Sequence, residues 1–285
     1  MRALAVSGLA LAGCGGGSAP SPTQPPSALR TDLLFGYYGA ADETIPEVAD
    51  HVNLAWVMGW GTHGSWLANV SRQLVQARQH GIKAVVLGIP QAYNPGGTAE
   101  ADVRYVLQSL AVQGLLENVV ALYPIDEPDG AHKSDATVTA VNTMLRRVMA
   151  EFPPLANTKL AVIYTAGNER PGIASYDWIG FDDYDRGCLA LDAGFEALKR
   201  STRPDQRLMV VPGGADPWRT DPACFYARAQ LDAQVVAIVP FIWFDDWDDV
   251  TKPNGAKGIR SNGMANVYCI TGRRTITANP KADCA

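Results

Sequence analysis

Two adjacent carboxylates carry the strongest chemical signal in this chain. Asp126 and Glu127 follow the apolar run Val119-Val120-Ala121-Leu122-Tyr123-Pro124-Ile125, and Pro128 comes directly after them. The run reads as a fully buried strand that a proline stops. Neighbouring carboxylates are costly to place in a core, because buried charge needs partners. A mouth where a substrate binds suits them better, and there they can do acid/base chemistry. The competing reading is a solvated turn, since Asp and Pro both favour turns. Further groups of this kind recur along the chain: Tyr37 and Tyr38; Trp60 and His63; Gln91, Tyr93 and Asn94; Asp182, Asp183, Tyr184 and Asp185; Asp216 and Trp218; and Trp243, Asp245, Asp246 and Trp247.

The elements that would position them are short apolar strands separated by helical patterns. Strands are expected at Leu33–Tyr38, His51–Met58, Ile82–Gly88, from Val119 to the carboxylates, and at Lys159–Tyr164, Tyr176–Phe181, Arg207–Val211 and Val235–Phe244. Helices are expected near Ser65–His80, with Gly81 as C-cap, Ala99–Gln113, Asp135–Phe152, Leu191–Arg200 and Pro222–Gln234. Asp135 is expected to cap its helix, and Pro153-Pro154 to end it. Eight buried strands, most of them followed by a helix, in about 250 residues imply a single (β/α)8 barrel. An open doubly wound sheet is the second choice. The chain has no Gly-x-Gly-x-x-Gly after its first strand and no Gly-x-x-x-x-Gly-Lys-Ser/Thr, so dinucleotide and Walker-type phosphate binding have no support. In a barrel the C-terminal strand ends build the active site, and every residue group named above falls at such an end or in the loop after it.

Carboxylates mixed with aromatic rings suit a sugar: rings stack on C–H faces, and carboxylates bond hydroxyls and move protons. Here the chain resembles the barrel-type glycoside hydrolases. Asp126-Glu127-Pro128 is similar to the Asn-Glu-Pro that follows strand four in their large retaining clan. The resemblance implies that Glu127 is the general acid and that Trp243 is the floor of the sugar site. The chain departs from the clan at strand seven, where Val210-Val211-Pro212-Gly213-Gly214-Ala215-Asp216 holds no Glu, so a nucleophile cannot be carried over. Tyr184-Asp185 and Trp243 are similar to chitinase-like enzymes, but those space their strand-four Asp and Glu by one residue, whereas Asp126 and Glu127 are adjacent. Asp182 or Asp183 is the expected second carboxylate, with Asp245 or Asp246 after them. A separation of about 5 Å from Glu127 would imply retention and one of about 6.5–9.5 Å inversion. Tyr37, Tyr38, Trp60, Tyr184, Trp218, Trp243 and Asp245 are the expected substrate contacts. A glycan-binding protein that does not cleave is the alternative, because of the missing strand-seven Glu.

The N-terminus begins Met1-Arg2, continues through an apolar segment to Ala12, and closes as Leu11-Ala12-Gly13-Cys14. It reads as a secretory signal over residues 1–13, too short to span a bilayer permanently. Its end resembles the lipobox of bacterial lipoproteins, which implies cleavage before Cys14, lipidation of its thiol and attachment to the cell envelope. Residues 14–29, rich in Gly, Ser and Pro, are expected to form a flexible tether, and residues 30–285 the barrel domain. The remaining cysteines, Cys188, Cys224, Cys269 and Cys284, are expected to pair as Cys188–Cys224 and Cys269–Cys284 in an oxidising compartment. The chain is 47% hydrophobic and 19% charged with a net charge of −5, which offers no basic stripe for nucleic acid. No His-Glu-x-x-His, calcium-loop spacing or Gly-x-Ser-x-Gly points to a metal hydrolase, a calcium site or a serine hydrolase, and His63 and His132 read as loop residues. The expectation is a monomer that needs no cofactor and binds carbohydrate.

Overall fold

The computed structural model describes residues 29–39, 44–59, 63–165, 170–182, 184, 187–245 and 255–284, so the leader and most of the tether lie outside the described residues. Eight parallel strands form a nearly closed barrel: β1 (Leu34–Phe35), β2 (Leu54–Val57), β3 (Ala84–Gly88), β4 (Val119–Tyr123), β5 (Lys159–Tyr164), β6 (Trp178–Asp182), β7 (Arg207–Val211) and β8 (Val235–Ile238). Helices α1 (Ile45–Val48), α2 (His63–Gln79), α3 (Ala99–Val112), α4 (Asp135–Met149), α5 (Gly187–Ser201), α6 (Ala223–Leu231) and α7 (Ala265–Thr277) alternate with them. Between β5 and β6 a single 3-10 turn, Ile173–Ser175, stands where a helix would be.

The strands are apolar on both faces because both faces are buried. Successive side chains alternate between two cores. Trp56, Val86, Ala121, Tyr123, Ile163 and Met209 fill the barrel interior. Val57, Leu87, Leu122, Tyr164 and Val210 face the helices. The helices answer with stripes such as Val103, Val106, Leu107 and Leu110 on α3, the i, i+3, i+4, i+7 spacing of one helix face.

Seven ladders join the strands in the order β1-β8-β7-β6-β5-β4-β3-β2. The seam from β1 to β2 is bridged by Asn53: its Oδ1 accepts from Phe35 N at 2.7 Å, its N–H donates to Phe35 O at 3.0 Å, and its Nδ2 donates to Leu33 O at 3.2 Å. Gly36 permits this closeness, since a Cβ there would lie 2.2 Å from Leu54 O.

Several expected boundaries change. The β8 ladder stops at Ile238, short of Phe244, because Pro240 has no N–H to donate; one bridge, Gly213 to Phe241, continues the direction. Ser134, not Asp135, caps α4: its hydroxyl accepts from Thr137 N at 3.1 Å, while Asp135 accepts from Gly172 N at 2.7 Å. Helices α1 and α7 add to the expected set; α7 is tied to the C-terminal tail by the expected Cys269–Cys284 disulfide. Cys224 is also disulfide-bonded, and the side chain of Cys188 lies outside the described residues. Among the described residues no helix is long and apolar enough to cross a membrane.

Candidate active site

The exit from β4 is a fixed turn. Glu127 takes a left-handed backbone conformation with φ of 43°. Its N–H donates to Ile163 O on β5 at 3.2 Å, and its carbonyl accepts from Ala131 N at 2.8 Å. Asp129, buried beneath, accepts from Thr165 Oγ1 at 2.5 Å and from Thr165 N at 3.3 Å. The turn is thus anchored to the end of β5, and it presents two carboxylates to the mouth of the barrel.

Asp126 is held by two phenols. The Tyr38 hydroxyl donates to Oδ2 at 2.8 Å, and the Tyr123 hydroxyl donates to Oδ1. Although protein crowds around it, Asp126 keeps part of its surface open. Burial pushes its pKa up and the Asp129 charge adds to this, against the two phenol hydrogen bonds.

Glu127 lines the same cavity as Asp182, the buried last residue of β6, and each carboxyl shifts the titration of the other. Burial raises the Glu127 pKa first; the charges of Asp126 and Asp129 raise it further, and the hydrogen bond from Asp182 opposes them. Asp182 is pushed up to about 8, by burial first and then by the hydrogen bond and charge of Glu127, against a hydrogen bond from Tyr184. Two neighbouring carboxyls cannot both ionise at ordinary cost, so the pair keeps a proton to higher pH than an isolated carboxyl would.

These groups line a cavity of about 260 Å3 with Ile163 at its base and Trp218 and Phe241 in its wall. Tyr184 stacks on Phe241 with ring centres 5.3 Å apart and packs against Trp218 at 4.6 Å. Tyr38 closes the ring set, 5.6 Å from Phe241. A group of carboxylates in an aromatic cup at the C-terminal mouth of a barrel can protonate an oxygen and stabilise a developing cation beside it.

The structure brings together Tyr38, Asp126, Glu127, Asp182, Tyr184 and Trp218 from the expected set. Three others are placed elsewhere. Tyr37 points outward into the helix-side core, its hydroxyl 3.0 Å from His51 Nε2. Trp243 does the same: its ring lies 4.8 Å from that of Tyr37, and its Nε1 donates to Glu47 at 2.7 Å. The aromatic wall expected of Trp243 is formed by Phe241. Strand alternation breaks after Phe241, since Phe241 and Ile242 belong to the inner core and Trp243 to the outer one. Asp245 is a loop fastener, accepting from Gly258 N at 2.8 Å, Arg260 Nε at 3.0 Å and the Ser261 hydroxyl. Trp60, Asp183 and Asp246 lie outside the described residues. Phe241 and Ile163 were not anticipated; strand parity counted from Ala237 through Val239 would have found Phe241.

One metal-like grouping exists among the described residues, Asp50, His51 and Cys269, but the Cys269 sulfur is committed to the disulfide.

No family model matches the sequence, and no curated protein matches it significantly. Solved structures do match in fold. The β-galacturonidase of family GH2 from Eisenbergiella tayi, solved with galacturonate, shares 10% identity over 86% of this chain with a TM-score of 0.54. This chain spans only 51% of that enzyme. A Rhizomucor miehei β-1,3-glucanosyltransferase mutant, solved with laminaritriose, shares 11% identity over 80% of this chain and 92% of its own, at a TM-score of 0.58. A GH128 endo-β-1,3-glucanase from Amycolatopsis mediterranei, also with laminaritriose, shares 13% identity over 85% and 100% at 0.50. The chain is therefore similar in fold to barrel enzymes that act on glycosidic bonds.

Proposed function

We propose that this protein is a glycoside hydrolase. One observation carries the reading: Glu127 and Asp182 line one aromatic-walled cavity at the C-terminal mouth of the barrel, where burial raises the pKa of both. Glu127 gives its proton to the glycosidic oxygen as the bond to the anomeric carbon breaks, and the freed hydroxyl leaves with the aglycone. Asp182, now ionised, stabilises the positive charge that develops on the anomeric carbon. Water then supplies the hydroxyl for that carbon and the proton that restores the pair. The two fold neighbours solved with laminaritriose make β-1,3-glucans the first substrates to try.

The purified protein and its Glu127→Gln variant are incubated with β-1,3-glucans and then a wider polysaccharide panel, and released oligosaccharides are read by mass spectrometry. Wild type yields product, and the variant loses about 10²–10⁴-fold in rate while still binding glycan. Normal turnover by the variant overturns the acid assignment.

A second reading, binding without cleavage, is favoured by the end of β7. Gly213 and Gly214 stand there, and neither has space for a side chain: a Cβ would meet Tyr184 at 2.8 Å or Ile259 at 2.6 Å. Glycan binding with no product from wild type or variant would establish it.

A further inference from the structure

A second cavity, of about 210 Å3, adjoins the first. It is walled by Met58 and Gly59 after β2, Gly88 and Pro90 around the end of β3, Tyr93, and the β4 exit from Tyr123 to Asp126. Among the described residues, Asp126 is the one common to the two cavities. Its carboxylate is fixed by Tyr38 on one oxygen and Tyr123 on the other. Each oxygen keeps a lone pair beyond the phenol it accepts from, so each can accept one hydroxyl more.

Resting on the glycosidase reading, we propose that the second cavity seats the next residue of a neutral glycan, and that Asp126 accepts hydroxyls from the two sugars it separates. Size supports this. Each cavity alone is smaller than the roughly 300–1,000 Å3 usual for a small-molecule site, and the two together fall within it. Lining chemistry supports it too. Apart from Asp126 the second cavity is lined by Met58, Pro90, Tyr93, Tyr123, Pro124 and Ile125 with two glycines, mostly apolar residues that suit the C–H face of a sugar. No Lys, Arg or His lines either cavity among the described residues, and Lys133 is engaged over the Tyr93 ring at 5.8 Å. The carboxyls of Asp126, Glu127 and Asp182, with no cation in either lining among the described residues, disfavour a uronate or a phosphorylated sugar, whose charge would add to that of the ionised ones. The substrate class is thus a neutral chain of at least two residues.

The test is calorimetry on the Glu127→Gln protein with mono-, di- and trisaccharides of β-linked glucose and mannose, and with uronate-containing trisaccharides. At least one neutral trisaccharide binds tenfold or more tightly than its monosaccharide, and the uronate forms bind at least tenfold more weakly than the neutral ones. Adding Ile125→Trp, which fills the second cavity, brings the trisaccharide-to-monosaccharide ratio close to one. Met58→Trp fills it from the opposite wall and serves if the first variant does not melt cooperatively. An unchanged ratio in a folded variant, uronate binding as tight as neutral, or no neutral trisaccharide bound overturns the proposal. Because binding needs no turnover, chain-length-dependent binding with no cleavage by wild type would leave this proposal standing and sink the hydrolase reading.

Discussion

Glu127 and Asp182 keep a proton to higher pH than isolated carboxyls do, because neither is well solvated and each makes ionisation of the other costly. The sign of the resulting pH dependence follows from where that proton sits. Asp182 binds its proton up to about pH 8 in the folded protein, whereas an unfolded aspartate releases it near about 3.9. Between those values the folded state carries the extra proton, so this group's stabilising contribution, fully present below the unfolded value, is lost as pH rises through the folded one. Asp182→Asn removes that dependence. Urea unfolding at pH 5 and pH 8 should show wild type losing roughly 1–4 kcal/mol relative to the variant over this interval. Activity should fall on the alkaline side as the pair loses its proton, and that limb should move to lower pH in Asp182→Asn, where Glu127 no longer faces an anionic neighbour. An alkaline limb unmoved by the substitution would detach the pair from the chemistry.

At the scale of elements, the barrel devotes the end of β7 to packing instead of chemistry. Gly213 lets the β carbons of Tyr184 and Trp218 approach to 2.8 Å and 3.0 Å of where its own Cβ would be. Gly213→Ala should therefore push on two cavity walls at once. A cost of about 1–3 kcal/mol in stability is expected from overpacking, with at least a tenfold loss in kcat/KM measured on the substrate found for wild type. Full activity in a destabilised variant would show that Tyr184 and Trp218 can shift without consequence. The exits of β4 and β6 carry the carboxylates because their last side chains point inward, and hydrogen bonds from Glu127 N and Thr165 tie the β4 turn to β5.

At the scale of the whole molecule, a covalent bridge secures the C-terminal end. The Cys269–Cys284 bridge closes a loop of 15 residues and fastens the tail against α7. The double Cys269→Ser, Cys284→Ser variant should lose about 3 kcal/mol by the loop-entropy relation, read by denaturant unfolding. At the other end, lipidation at Cys14 remains a proposal from the leader's motif. Cys14→Ser expressed in a bacterial host should move the protein from the membrane fraction to the soluble one, and retention in membranes would refute the anchor.

The succession of apolar runs and helical stripes was enough to specify the barrel, because a strand buried on both faces must be apolar along its length, and that pattern is local. Local spacing likewise placed Asp126, Glu127 and Asp182 at strand ends, and the cysteine positions foretold Cys269–Cys284. The tertiary structure decided which neighbours at those ends look inward. Tyr38 enters the cavity and Tyr37 does not; Phe241 enters and Trp243 does not. A shift of one residue at a strand end reverses the face a side chain takes, and loop contacts far away in sequence set that shift. The meeting of Glu127 with Asp182, 55 positions apart, and the clamping of Asp126 by Tyr38 and Tyr123 follow from barrel closure, which no local pattern encodes.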